Sequence, residues 1–177
     1  MRTIIAALIV LIGIGSAGST RADWDAGAKA YDSGDYATAL REFKPLAEQG
    51  HMLSQYFLGV MFENGRGVLQ DDKEAVKWYR KAAEQGDVGA QYNLGVALAR
   101  GTGVLQDDKE AVKWFRKAAE QGDVGAQYNL GYMFANGRGV VQDYKEAVKW
   151  FRKAAEQGDV EAQYNLGYMF ANGRGVV

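Results

Sequence analysis

The single histidine of this 177-residue chain, His51, stands three residues before Ser54 at the start of a helical stretch. In a helix, side chains at that spacing meet. A hydroxyl beside an imidazole is the beginning of a nucleophilic dyad. No acid is evident as a third member, and His51 sits where Asp87, Asp123 and Asp159 sit in sister segments. It therefore reads as a helix N-cap. The paired carboxylates Asp71-Asp72 and Asp107-Asp108 invite a metal or acid–base role. However, Asp71/Glu74, Asp107/Glu110 and Asp143/Glu146 have capping-box spacing, and the third pair reads Asp143-Tyr144. Calcium would want more oxygens in one compact loop. Gly65/Gly67, Gly101/Gly103 and Gly137/Gly139 follow no strand and open no GxGxxG, so no nucleotide cradle is implied. Lys73, Lys77, Arg80, Lys81 and their copies alternate with Glu74 and Glu84, which suits a solvated outer face. No catalytic, cofactor-binding or metal-ligating residue is assigned.

The elements that hold these residues repeat. AEQGDVGAQYNLG runs from Ala83 to Gly95, again from Ala119 to Gly131, and with Glu161 for Gly from Ala155 to Gly167. A period of that length signals a repeat architecture whose units bury their apolar faces only by stacking. Each unit holds two helices. Helix A begins at an N-cap such as Asp87 and carries Ala90, Leu94, position 97 and Leu98 on one side. Helix B begins at Asp107, places Ala111, Phe115, Ala118 and Ala119 on one face, and ends before Gly122. Gly59, Gly95, Gly131 and Gly167 lie inside helix A at a cost of about 1 kcal/mol each, which implies a close neighbour. Trp78, Trp114 and Trp150, beside Tyr79, Phe115 and Phe151, are expected to fill space between hairpins.

The pattern A-x-Y-x-L-G-x-M/L-x-x-x-G-x-G-V-x-Q-D-x-x-x-A-x-x-W-x-x-K-A-A-E-Q-G resembles the Sel1-like repeat, a relative of the tetratricopeptide repeat. The resemblance spans nearly all of the chain after residue 22. It implies a right-handed α/α superhelical solenoid of antiparallel hairpins that serves as a protein–protein interaction scaffold. The cysteine-rich members of that group, some connected with penicillin binding, are not a guide here, because the chain has no cysteine.

The expected organisation is a leader at 1–22, a tetratricopeptide-like capping hairpin at 23–50, and full repeats at 51–86, 87–122 and 123–158. Residues 159–177 supply a half repeat with helix A alone. The turn Tyr31-Asp-Ser-Gly-Asp35 is tight, and Pro45 predicts a kink in the second helix of the cap. Leu166, Met169 and Phe170 lack a partner helix, so the chain is expected to fray beyond Asn172. A truncated gene, a self-capping helix and a covering partner are all compatible with that end.

Arg2, the apolar run Ile4–Ile14 and small residues up to Ala22 read as a secretory signal peptide, cut after Ala22 or after Ala17. The run is too short to span a membrane. The chain is therefore expected to be exported, periplasmic or secreted, in a bacterium, with no stable membrane insertion after cleavage. Without Arg2 and Arg21, 19 basic side chains face 22 acidic ones, which offers no field for nucleic acid.

On a helical wheel, positions 93, 96 and 100 form a second stripe of helix A, away from the buried one. It reads Phe57-Val60-Asn64, Asn93-Val96-Arg100, Asn129-Tyr132-Asn136 and Asn165-Tyr168-Asn172. Asparagine amides and tyrosine rings suit peptide recognition, and by resemblance this stripe lies on the concave face. Units 87–122 and 123–158 differ at positions 96, 97, 98, 100, 102, 105 and 108, all at the helix A tip or in the loop after it. Either a binding surface on a fixed scaffold or chance divergence after duplication produces that distribution. The leading expectation is a non-enzymatic scaffold binding a protein or peptide. The alternative is a cell-envelope hydrolase or a peptidoglycan- or carbohydrate-binding factor.

Overall fold

The computed structural model describes residues 22–175. The expected signal peptide lies outside them apart from Ala22, as do the last two residues. Among the described residues there are nine α-helices and no strands. They are α1 Trp24–Asp32, α2 Tyr36–Glu48, α3 Met52–Asn64, α4 Asp72–Glu84, α5 Val88–Arg100, α6 Asp108–Glu120, α7 Val124–Asn136, α8 Tyr144–Glu156 and α9 Val160–Ala171. Each helix packs on the next, so α1–α2, α3–α4, α5–α6 and α7–α8 are hairpins stacked into a solenoid that ends on α9. The odd-numbered helices are the A helices and the even-numbered ones the B helices.

Capping sets both helix starts. The Asp87, Asp123 and Asp159 carboxylates accept from the backbone N–H of Ala90, Ala126 and Ala162 at 2.7, 2.7 and 2.6 Å. Asp71, Asp107 and Asp143 accept from the N–H of Glu74, Glu110 and Glu146 at 3.0, 2.9 and 3.1 Å. The reciprocal half of the expected capping box does not form. The N–H of Asp71, Asp107 and Asp143 donates at 3.0 Å to the carbonyl of Phe62, Leu98 and Phe134 on the preceding A helix. That bond closes the A–B loop and leaves each glutamate side chain free for another partner.

The helical glycines sit under aromatic rings. A Cβ at Gly59, Gly95 or Gly131 would lie 2.5, 2.8 or 2.8 Å from the ring of Tyr79, Phe115 or Phe151. Those rings, all at most 2% exposed, therefore fill space inside their own hairpins rather than between hairpins. Trp78, by contrast, joins the cluster of Ala39, Phe43 and Ala47 on α2, so it packs across a joint. The expected core face of helix A is buried at Ala90, Leu94, Ala97 and Leu98.

The loops carry the closest backbone approach. Gly103 and Gly139 have φ of +69° and +68°, and a Cβ on either would collide with the carbonyl of Asp72 or Asp108 at the start of the previous B helix. Such a conformation at such a contact requires glycine. In the cap, α2 continues through Pro45 to Glu48. Pro45 lies in the last turns, where the carbonyl that loses its donor belongs to exposed Arg41. At the other end α9 stops at Ala171 with Asn172 as C-cap, and the Arg174 N–H still reaches the Met169 carbonyl at 2.9 Å. Met169 is buried, Leu166 half-buried and Phe170 44% exposed, while nothing lies over Gly167.

Candidate partner-binding face

The side chains that suggested chemistry have structural duties. His51 caps α3, its Nδ1 accepting from the Ser54 N–H at 3.3 Å and lying 2.9 Å from the Ser54 hydroxyl. Ser54 is fully buried, so its oxygen has no surface at which to meet a substrate. Asp71, Asp107 and Asp143 spend their carboxylates on caps, and Asp108 takes Arg138. Among the described residues no three His, Cys, Asp or Glu side chains gather as metal ligands. Three of the four tryptophans are largely covered. Trp78, Trp114 and Trp150 are 7, 8 and 2% exposed, with Lys81, Lys117 and Lys153 over their rings at 4.1, 4.1 and 4.4 Å.

The stripe at positions 93, 96 and 100 and their equivalents is placed unevenly. Asn64, Arg100, Tyr132, Asn136 and Tyr168 are exposed; Val60, Asn93, Val96, Asn129 and Asn165 are half-buried. Phe57, on α3, packs against the first hairpin, where its ring meets Tyr31, Phe43 and Trp24 at 4.9, 5.4 and 5.6 Å. The asparagines turn one amide hydrogen back onto their own helix. Asn64, Asn129, Asn136 and Asn165 donate to the carbonyls of Val60, Gly125, Tyr132 and Glu161 at 2.8–2.9 Å. What each offers outward is its carbonyl oxygen and its second N–H.

Between α5 and α7 the stripe opens into a cavity of about 130 Å³, whose lining includes Val96, Arg100, Asn129 and Tyr132 together with Tyr92 and Arg138. The A helices approach closely here because Gly89 and Gly125 lie beneath Tyr56 and Tyr92; a Cβ would sit 3.0 or 2.9 Å from those rings. Tyr56 is held above the usual phenol range by burial and then by the charge of Asp87. Tyr128 is raised by burial and by Glu161, which replaces the glycine of the earlier copies. These phenols stay protonated at neutral pH.

One feature was missed in the sequence, a ladder of buried glutamines. Gln55, Gln91 and Gln127 donate to the carbonyls of Ala47, Ala83 and Ala119 on the previous B helix at 3.0, 3.2 and 3.1 Å. They accept from Gln85, Gln121 and Gln157 at 2.7, 2.8 and 2.9 Å. The signal was present as two glutamines in every copy of AEQGDVGAQ. Positions 97 and 98 (Ala97, Leu98, Met133, Phe134) are buried, as expected of the core side of helix A. The substitutions at the helix A tip therefore change packed side chains as well as surface ones.

Stacked hairpins with a glycine-seated aromatic define an α/α repeat solenoid. The Sel1 repeat matches residues 53–87, 88–123, 124–159 and 160–177. The chain belongs to the Sel1 repeat family, whose members generally mediate protein–protein interaction. A crystal structure of a protective antigen of uropathogenic Escherichia coli with an SLR fold superposes at TM-score 0.80 with 46% identity, covering 84% of this chain and 33% of that one. A Sel1 repeat protein from Oxalobacter formigenes superposes at 0.81 with 39% identity, covering 85% and 62%. Cysteine rich protein B of Helicobacter pylori gives 0.55 and 27% identity. A Rhizobium leguminosarum exopolysaccharide production negative regulator is 43% identical over 51 residues, 29% of this chain and 19% of the regulator. The chain thus spans a minor part of that curated relative.

Proposed function

We propose that this chain is an exported, non-enzymatic scaffold that binds a protein or peptide segment along its A-helix face. The observation that carries the reading is the cavity between α5 and α7, where Val96, Arg100, Asn129 and Tyr132 of the stripe converge beside Tyr92. Rings with free hydroxyls and outward amide oxygens recognise an extended backbone without ordering many rotors. The similarity to a regulator of exopolysaccharide production fits a protein that acts through partners. Export rests on the leader composition of residues 1–22. It predicts that the chain recovered from the producing cell's envelope or medium begins at Asp23 or Gly18, as N-terminal sequencing would read. Among the described residues no helix is long and apolar enough to cross a membrane.

The test is the triple variant Asn129→Ala, Tyr132→Ala and Tyr168→Ala. It is expected to lose crosslinked capture of the partner while keeping wild-type helicity by circular dichroism. Capture at the wild-type level would sink the assignment of this face.

A further inference from the structure

At three places in the solenoid a loop arginine reaches back to the first residue of the B helix one hairpin earlier. Arg66 lies over the ring of Tyr36 at 5.5 Å and Arg174 over Tyr144 at 5.3 Å. Arg138 grips Asp108 with two bonds, Nη2 to Oδ1 at 2.7 Å and Nε to Oδ2 at 3.2 Å. Its Nη2 also donates to the Ala99 carbonyl at 3.2 Å.

The equivalent loop position in the α5–α6 hairpin is Thr102, yet the receiving carboxylate is retained: Asp72 is the counterpart of Asp108. Glu63 replaces Ala99, which adds a second carboxylate where Arg138 meets only a backbone carbonyl. Thr102 carries no charge and does not extend to Asp72 as Arg138 does to Asp108, and a cavity of about 70 Å³ opens between it, Glu63, Asp72, Tyr79 and Arg100. The Asp72 carboxylate accepts a long 3.4 Å hydrogen bond from Gln70, and Glu63 accepts from the Tyr79 hydroxyl at 2.7 Å. Ala75, Val76 and Ala97 complete an apolar wall beside half-buried Asp72, while Glu63 stands exposed at the rim.

We propose that this cavity is a recognition slot for a basic side chain, arginine before lysine, carried by the segment that binds the A-helix face. The proposal rests on that reading of the face. A planar guanidinium matches a carboxylate with two parallel bonds, and an ammonium does not. The chain makes that same contact with itself one hairpin later, through Arg138. Val96 and Arg100 border both this slot and the larger cavity between α5 and α7, so a segment crossing the A-helix tips passes the slot's mouth. Arg100 is the internal competitor. Swung onto Asp72 it would close the slot, whereas the matching positions 64, 136 and 172 hold asparagine.

The experiment titrates the ¹⁵N-labelled full chain with N-acetyl-arginine amide, and with N-acetyl-citrulline amide as the uncharged probe. The arginine probe is expected to give saturable amide shifts at Glu63, Asp72, Val76 and Thr102. The citrulline probe should bind about tenfold more weakly or worse. Arg100→Asn should tighten binding of the arginine probe, and Thr102→Arg should abolish it. Thr102→Arg installs the residue already present at positions 66, 138 and 174, and an unlowered melting temperature confirms that this variant folds. Shifts that fail to saturate, or that persist in Thr102→Arg, overturn the slot. Partner capture separates the two readings. Capture lost in the Asn129/Tyr132/Tyr168 variant but unchanged in Thr102→Arg overturns the slot and keeps the face. Saturable arginine binding with capture indifferent to the triple variant supports the slot as a basic-side-chain site and overturns the face.

Discussion

The joint between α3–α4 and α5–α6 and the next one, between α5–α6 and α7–α8, share a glutamine rung, a glycine contact and most of their sequence. They differ in where a cation crosses. At the first joint Arg80 of α4 pairs with Glu110 of α6, and Glu110 also accepts from the Trp114 indole N–H at 3.2 Å. At the second joint the counterpart Arg116 lies over the ring of Phe134 at 5.5 Å, where the earlier copy has Leu98. Glu146 then turns to Lys149 at 3.0 Å, and the buried Trp150 Nε1 is left without a hydrogen-bond partner among the described residues. The cross-joint ion pair moves to the loop, where Arg138 holds Asp108. Substitutions at the tip of helix A thus relocate the clamp between hairpins while the stacking geometry stays the same.

The comparison predicts that what the joints share matters most. Gly103→Ala and Gly139→Ala should each cost about 2–4 kcal/mol, since both force a side chain into positive φ and against a backbone carbonyl. Urea denaturation of the two variants should give similar losses, and a large difference between them would break the claim of equivalent stacking. The clamps come next. Arg138→Ala should cost about 1–2 kcal/mol, and Arg80→Ala about 0.5–1 kcal/mol, because the first pair is bidentate and both are partly screened by solvent.

Their pH dependence sharpens the second value. The hydrogen bond from Arg80 holds the Glu110 carboxyl below its usual 4.5. A carboxyl depressed in the folded state stabilises above its unfolded pKa and loses that contribution as pH falls through the folded one. The gap between wild type and Arg80→Ala should therefore be full at neutral pH and shrink below about pH 4.5; a gap that widened in acid would contradict the pairing. The smallest effect is local. Phe134→Leu should release Arg116 to Glu146, and the Trp150 indole resonance should move towards that of Trp114 in a ¹⁵N spectrum. An unmoved resonance would place the cause elsewhere.

The helix boundaries were legible because an aspartate caps nearly every start and a glycine follows nearly every end. The buried side of helix A was legible from its period. The capping box was only half legible. Its donor side depends on local spacing, but the N–H of Asp107 is claimed by the carbonyl of Leu98, which no local pattern reveals. Phe57 shows the same limit, since it matches the stripe by register and is drawn against the first hairpin by Trp24 and Tyr31.

A period of thirty-six residues is enough to dictate a stacked helical solenoid, because each copy must cover the apolar face of the one before it. Residues repeated in every copy are largely occupied with caps and packing. The repeat does not say which of two chemically possible partners a long side chain takes. Arg80 takes Glu110, its counterpart Arg116 takes the ring of Phe134, and Arg138 takes Asp108 and the Ala99 carbonyl, each on an element other than its own. Distances set by stacking decide that choice, and with it the open ground around Thr102 and Tyr132.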